Sequence, residues 1–132
     1  MTQTQAPPQW MKWAGFALSG LSIAFLLMDA TMKVLRLPVV LDTTAHLGWP
    51  ASSVLTLAVI LFAATALYAI PATAVLGAVV ITGYLGGAVA THLRIASPLF
   101  SHVLFGVYIG VMGWGGLDLR DARLRALFPL RR

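Results

Sequence analysis

The sequence predicts an all-α membrane protein that crosses the bilayer four times as a helical bundle, with both termini in the cytoplasm. Of its 132 residues, 59% are hydrophobic and only 10% are charged, whereas a soluble domain carries about a quarter charged residues. No charged residue lies between Asp42 and Arg94. That stretch is too long for one span of about 20 residues, so the chain must turn back within it.

The apolar segments define the spans in order. Residues 1–12 are polar and contain two prolines, so we predict a disordered N-terminal tail. A proline suits the first turn of a helix, and Pro71 therefore separates the second span from the third, while Pro98 precedes the fourth. The four predicted spans are residues 13–33, 52–70, 72–91 and 99–117.

Two further segments are too short or too polar to cross. Residues 37–50 mix apolar and polar side chains, which suits a short helix lying in the membrane interface between the first two spans. Gly48 and Pro50 are expected to end it. Residues 118–132 are predicted to be a basic, amphipathic cytoplasmic tail, whose arginines bind anionic lipid headgroups.

Basic residues predict the orientation. Lys12 and the five arginines of the tail lie on one side of the predicted membrane, and Lys33, Arg36 and Arg94 lie on the other. The positive-inside rule therefore places both termini in the cytoplasm. Because the basic residues flank spans, we expect a lipid bilayer as their partner and no nucleic acid. The chain has no cysteine, which excludes thiol chemistry of its own.

Glycines inside the third and fourth spans predict close helix packing, because helices in lipid associate through close backbone approach. They lie in apolar helices and form no phosphate-binding fingerprint. Glycine faces that are not used within one chain would support a homodimer. The predicted packing residues are Gly83, Gly86, Gly87, Gly106, Gly110 and Gly113.

Polar side chains gather at the non-cytoplasmic ends of the predicted spans, and all three histidines are among them. Ionisable residues are costly inside a membrane and usually face the bundle interior. We therefore treat this cluster as a candidate ligand-binding site. Its members are Asp29, Lys33, His46, Tyr84, Thr91, His92, Arg94, Ser101 and His102.

Several interpretations of the cluster stay open. The side chains can simply connect helix ends, with Asp29 and Lys33 forming an ion pair four residues apart. They can instead line a pocket for a quinone or a lipid, since such pockets combine apolar walls with a few polar groups. His92 and His102 alone are weak evidence for haem or metal ligation, so we expect neither.

Other activities have less support. No serine lies in a nucleophile elbow, so no catalytic residue is assigned and the isolated chain is not expected to be an enzyme. A pathway for a small solute or for protons is a weaker alternative, because the second and fourth spans carry almost no polar residues midway.

Blocks of residues in consistent order resemble the DoxX-like family of small bacterial membrane proteins. The most diagnostic block is Gly83-Tyr84-Leu85-Gly86-Gly87, followed by Thr91-His92. Further matching blocks are Asp29-x-x-Met32-Lys33, His46-Leu47-Gly48-Trp49-Pro50, Tyr68-Ala69-Ile70-Pro71, Pro98-Leu99-Phe100-Ser101-His102 and Trp114-Gly115-Gly116-Leu117. The resemblance covers the chain from about Trp13 to its end.

The resemblance implies a four-helix bundle in the bacterial inner membrane. The family takes its name from a subunit associated with a thiosulfate:quinone oxidoreductase, and some of its members are linked to membrane redox complexes. It therefore implies an accessory subunit of a membrane redox or stress-response system. On that basis we expect a quinone or lipid as ligand and a membrane or redox protein as partner.

Overall fold

The structure, a computed structural model, describes residues 8–131. Within these residues every regular element is a helix, which confirms the all-α prediction. A 3-10 turn, Pro71–Thr73, leads into α4, and a π-helical turn, Leu99–Val103, leads towards α5. The helices are α1 (Gln9–Val34), α2 (Pro38–His46), α3 (Ser53–Ala69), α4 (Ala74–Arg94), α5 (Phe105–Arg120) and α6 (Ala122–Leu127).

Three helical segments are long and apolar enough to cross a membrane. They are Gln9–Val34, Pro71–Arg94 and Leu99–Arg120. The equally apolar α3 has 17 residues, which corresponds to a length of about 26 Å. Large apolar side chains such as Leu21 and Val111 are exposed along the outer faces, as expected for helices that lipid surrounds.

The four longest helices pack side by side in a ring. α1 contacts α3 and α5, and α4 contacts the same two helices from the other side. Leu61 and Ala64 of α3 are fully buried inside this ring, with Leu26 of α1 and Ile109 of α5 beside them. α2 packs against the ring through far fewer residues than the four ring helices use to pack against one another.

The observed helix boundaries differ from the predicted ones at both ends of the chain. α1 begins at Gln9, because the carbonyl of Pro8 accepts hydrogen bonds from the amides of Met11 and Lys12. Residues 9–12 are therefore helical, which corrects the prediction of a disordered tail there. Residues 1–7 of that tail lie outside the described residues.

The C-terminal segment also differs from expectation. α5 continues to Arg120, past the predicted end of the span at residue 117. The first three residues of the predicted amphipathic tail are thus the end of α5, and α6 adds a separate helix of six residues. The side chain of Asp121 caps α6 by accepting hydrogen bonds from the amides of Arg123 and Leu124, which provides the usual partner for free amides at a helix start.

The closest helix contacts occur at glycines that the packing prediction did not include. A Cβ atom on Gly15 of α1 would lie 2.7 Å from the carbonyl oxygen of Gly116 in α5. A Cβ atom on Gly77 of α4 would collide with the backbone of Tyr68 in α3. Only a residue without a side chain allows these approaches, so Gly15, Gly77 and Gly116 set the spacing of the ring.

Among the predicted packing glycines, those of α5 lie at helix contacts. A Cβ atom on Gly106 would lie 3.1 Å from the carbonyl oxygen of Leu85 in α4. Added Cβ atoms on Gly110 and Gly113 would reach ordinary van der Waals distances of 3.8 and 3.9 Å from their nearest neighbours.

The predicted packing glycines of α4 require a correction. A Cβ atom on Gly83, Gly86 or Gly87 would meet no heavy atom within 4 Å. The prediction of close packing at these three positions is therefore wrong. The face of α4 that carries them is turned away from neighbouring backbones, and Gly83 and Gly87 line a cavity instead.

Three helices end in the same hydrogen-bonded motif. After α1, α2 and α4 the chain places Arg36, Gly48 and Ala96 in the left-handed region, with φ of 53°, 85° and 55°. At each end two amides bond back to carbonyls of the last turn; at α2, Gly48 bonds to Ala45 and Trp49 to Thr44. This is the Schellman arrangement, which satisfies the last carbonyls of a helix.

Candidate functional site

A cavity of about 510 Å³ lies at the end of the ring that carries His92 and His102, which we call the histidine end. Its apolar walls come from α1, α4 and α5, and they include Phe25, Leu85 and Phe105. The volume falls within the range of about 300–1,000 Å³ that is usual for sites that bind small molecules.

Another wall of the cavity comes from α2 and the turn that follows it. Thr44, which is 7% exposed, is the most buried residue of α2. The lining side chains from this segment are Val39, Val40, Thr43, Thr44, Leu47 and Trp49. The segment that we predicted to lie in the membrane interface thus also covers the cavity.

Six of the nine predicted site residues line this cavity. They come from three separate parts of the chain, α1, α4 and the π-helical turn, which the fold brings to one end of the ring. The six are Asp29, Lys33, Tyr84, Thr91, His92 and His102.

Asp29 and Lys33 form an ion pair along α1. The Nζ atom of Lys33 lies 2.5 Å from Oδ2 of Asp29, at the four-residue spacing that the sequence indicated. The Lys33 side chain is only 13% exposed, so the carboxylate offsets the cost of holding an ammonium beside apolar walls. This contact uses one of the three N–H donors of the Lys33 ammonium.

The two histidines of the cavity face each other, and each is oriented by a serine. Nδ1 of His92 lies 3.1 Å from Oγ of Ser97, and Nδ1 of His102 lies 2.7 Å from Oγ of Ser101. The ring centroids are 5.7 Å apart in an edge-to-face arrangement. Because the serines engage Nδ1, the Nε2 atoms stay available for hydrogen bonds to a ligand.

Three predicted site residues do not line the cavity. The guanidinium of Arg94 donates a hydrogen bond to the carbonyl oxygen of Leu47 and thereby connects the end of α4 to the end of α2. Ser101 contacts the neighbouring His102, so it positions a cavity residue. His46 is exposed at the end of α2. Arg94 and Ser101 thus each bond to a residue that lines the cavity, Leu47 and His102 respectively.

A π-helical turn presents His102 to the cavity. The amide of Val103 bonds to the carbonyl of Pro98 at 3.1 Å, and the amide of Leu104 bonds to that of Leu99 at 2.9 Å. These bonds span five residues rather than four, which widens the turn and shifts the direction of the side chains that follow.

Residues 25–109 include every side chain that lines the cavity. The model of the DoxX-like family matches residues 17–116, and so covers the cavity and three quarters of the chain. The chain belongs to the DoxX-like family. No curated protein and no solved structure matches it. Family membership and the apolar helices together indicate that this DoxX-like protein is a membrane protein.

The DoxX-like chain has a second polar cluster at the opposite end of the ring, which we call the arginine end, and the sequence did not reveal it. The hydroxyl oxygens of Ser19 and Tyr68 are 2.8 Å apart, and Tyr68 donates to the carbonyl of Gly113 at 2.6 Å. Arg120 donates to Ser19 at 3.1 Å and lies over the ring of Phe16. Ser19 and Tyr68 are almost fully buried, so this cluster holds helices together.

The described part of this DoxX-like protein contains no group of three or more histidine and carboxylate side chains that could hold a metal ion. The cavity nevertheless combines apolar walls with hydrogen-bonding groups at one end. That arrangement suits an amphipathic molecule, whose apolar part contacts α1, α4 and α5 while its polar head reaches the histidines.

Proposed function

We propose that this DoxX-like protein is an accessory subunit of a membrane redox or stress-response system in the bacterial inner membrane. In this role it binds a quinone- or lipid-sized amphipathic molecule in the cavity at its histidine end. The observation that carries the proposal is the cavity itself, which has about 510 Å³ of space beside the ion pair of Asp29 and Lys33 and the rings of His92 and His102.

The topology that we propose has four spans, with α3 as the shortest. Its 17 residues are at the lower limit of the roughly 17–25 that cross a bilayer. Its packing between α1 and α4 supports the assignment, because a helix within the ring shares the membrane depth of its neighbours. The basic residues near the arginine end favour placing both termini in the cytoplasm. The histidine end, which carries the cavity, then faces the outer side of the membrane.

In the proposed complex the ligand contacts both the apolar side chains and the histidines of the cavity. Phe25, Leu85 and Phe105 contact its apolar part through van der Waals packing, which is what favours association of apolar groups inside a membrane. The Nε2 atoms of His92 and His102 bind its polar head. A carbonyl or similar group fits this end, because neutral imidazole can donate one hydrogen bond from Nε2 when Nδ1 accepts one from serine.

Native mass spectrometry of the protein in mild detergent, followed by organic extraction, tests this function. We expect a stoichiometric quinone or a particular lipid that is lost when His92 and His102 are both replaced by alanine. A matched control is His46→Ala, since His46 lies outside the cavity lining. Its substitution should leave the bound molecule in place.

The opposite result would support a purely structural polar cluster. In that case the extract contains only bulk lipid in bulk proportions, and the paired histidine substitutions lower the thermal stability without changing what is bound. The contacts of the histidines with Ser97 and Ser101 would then serve only to connect helix ends.

A further inference from the structure

The helix that covers the cavity is weakly attached to the rest of the protein. α2 and the following turn supply six lining side chains, yet the ring helices pack more closely with one another than any of them packs with α2. Elements with few packing contacts open at low free energy, while the packed core stays intact. α2 is therefore the wall of the cavity that costs least to displace.

Left-handed residues adjoin both ends of α2. Arg36 precedes it with φ of 53°, and Gly48 follows it with φ of 85°. Movable segments commonly turn on a few residues at the ends of elements, where large changes of φ and ψ are absorbed. Changes of φ and ψ at Arg36 and Gly48 would allow α2 to move as one rigid helix.

One charged side chain holds the far end of α2 in place. The guanidinium of Arg94, at the end of α4, donates to the carbonyl oxygen of Leu47. The same guanidinium lies so near Gly48 that an added Cβ atom would approach Nη2 to 2.8 Å. A cation at this place also interacts favourably with the negative end of the dipole of α2.

We propose that α2 is a movable cover over part of the cavity and that Arg94 is the positioning residue that holds it in place. Molecules then enter and leave at the histidine end, past the displaced α2, when the bond between Arg94 and Leu47 breaks. This inference rests on the proposed function in one respect: the molecule that binds in the cavity has to pass α2 on its way in and out.

The absence of cysteine in the chain makes a direct test possible. A single Ala88→Cys substitution places a thiol on the cavity wall, and its rate of reaction with N-ethylmaleimide measures access. The protein is held in nanodiscs of phosphatidylethanolamine and phosphatidylglycerol. In the Arg94→Gln background we expect this rate to rise about three- to tenfold, because loss of one hydrogen bond shifts an equilibrium by about that factor.

Three controls make the result specific. Ala51→Cys reports on an exposed loop outside the cavity lining, and its rate should not change with Arg94→Gln. Lys12→Gln removes an exposed positive charge near the start of α1 and should leave the Ala88→Cys rate unchanged. Arg94→Lys keeps a cationic donor. In this background the Ala88→Cys rate should be closer to the rate with Arg94 than to the rate with Arg94→Gln.

Two results would overturn the cover. One is an Ala88→Cys rate that is the same with arginine and with glutamine at position 94. The other is an equal increase at Ala88→Cys and Ala51→Cys, which indicates general loosening. If a specific molecule is still retained in either case, the cover is wrong and the proposed function stands. If the rate rises as expected but extraction finds no specific molecule, the cover stands and the proposed function is wrong.

Discussion

The hydroxyl of Tyr68 in α3 donates a hydrogen bond of 2.6 Å to the carbonyl oxygen of Gly113 in α5. These two helices occupy opposite corners of the ring, since each packs on α1 and α4. Tyr68 therefore spans the diagonal, and Ser19 of α1 contacts the same hydroxyl at 2.8 Å. One phenol connects three of the four helices at the arginine end, where lipid offers no substitute partner for a buried polar group.

Replacing Tyr68 with phenylalanine should lower the free energy of unfolding by about 1–2 kcal/mol. The change removes two hydrogen bonds and leaves the hydroxyl of Ser19 with one partner fewer in a buried site. Each such bond in a membrane protein contributes about 0.6 kcal/mol on average and about 1.7 kcal/mol at most. Unfolding of the protein in mixed micelles with increasing denaturing detergent measures the effect.

Tyr108→Phe is the matched control for that substitution. The hydroxyl of Tyr108 donates to the carbonyl of Phe100 at an exposed position, so its loss should cost less than about 0.5 kcal/mol. Equal effects of the two substitutions would show that the diagonal connection adds no stability beyond an exposed hydrogen bond.

Glycine substitutions should separate the packed positions from the open ones. Gly15→Ala forces a Cβ atom to within 2.7 Å of the backbone oxygen of Gly116, and we expect it to cost about 1–3 kcal/mol of stability. Gly86→Ala meets no heavy atom within 4 Å and should be neutral or add up to about 1 kcal/mol, because alanine favours a helix. Thermal unfolding in detergent compares both with the parent protein. A larger loss from Gly86→Ala would contradict the description of this face of α4.

The end of α4 offers a stabilising substitution. Ala96 has φ of 55°, a conformation that costs an L-residue about 1–2 kcal/mol and that glycine adopts freely. Ala96→Gly should therefore raise the free energy of unfolding by about 0.5 kcal/mol, after the greater flexibility of glycine in the unfolded chain is subtracted. Ala90→Gly, in the interior of α4, should instead lower the free energy of unfolding by about 1 kcal/mol. A loss of stability in both variants would argue against the left-handed turn.

The sequence predicted the helical class and the approximate segments, because hydropathy and the charge-free run depend on composition along the chain. It did not reveal that Arg36 and Ala96 take up the left-handed conformation at a helix end, since neither position carries the glycine that normally marks such an end. Side-chain partners far apart in sequence, such as Ser19, Tyr68 and Arg120, also left no local pattern.

The sequence predicted the candidate site only in part, because topology determines which end of the bundle a residue lies at but not which side chains it contacts. The spans bring Asp29, His92 and His102 to one end by topology alone, so their common location could be inferred. The spacing of glycines along α4 and α5 does not reveal which face meets a neighbour. An added Cβ atom at Gly83 would meet nothing within 4 Å, whereas one at Gly106 would lie 3.1 Å from the carbonyl oxygen of Leu85. The position of Arg94 likewise depends on where α2 lies over the ring, which hydropathy does not determine.

The ion pair of the cavity should behave as a coupled unit. Asp29→Asn leaves the ammonium of Lys33, 13% exposed, beside apolar walls without its counter-ion, and we expect a loss of about 1–3 kcal/mol. Lys33→Met alone leaves a carboxylate that is 34% exposed and should cost less. The double variant should recover most of the loss, because two neutral side chains of similar size need no partner in an apolar wall.

A double-mutant cycle of unfolding free energies in detergent measures this coupling directly. We expect the two single losses to exceed the loss in the double variant by at least about 1 kcal/mol. Additive losses would mean that Asp29 and Lys33 are solvated independently at the cavity mouth, and the 2.5 Å contact would then add little to the stability of the histidine end. Asp42→Asn on α2 is the control, since Asp42 lies outside the cavity lining, and it should change the unfolding free energy by less than about 0.5 kcal/mol.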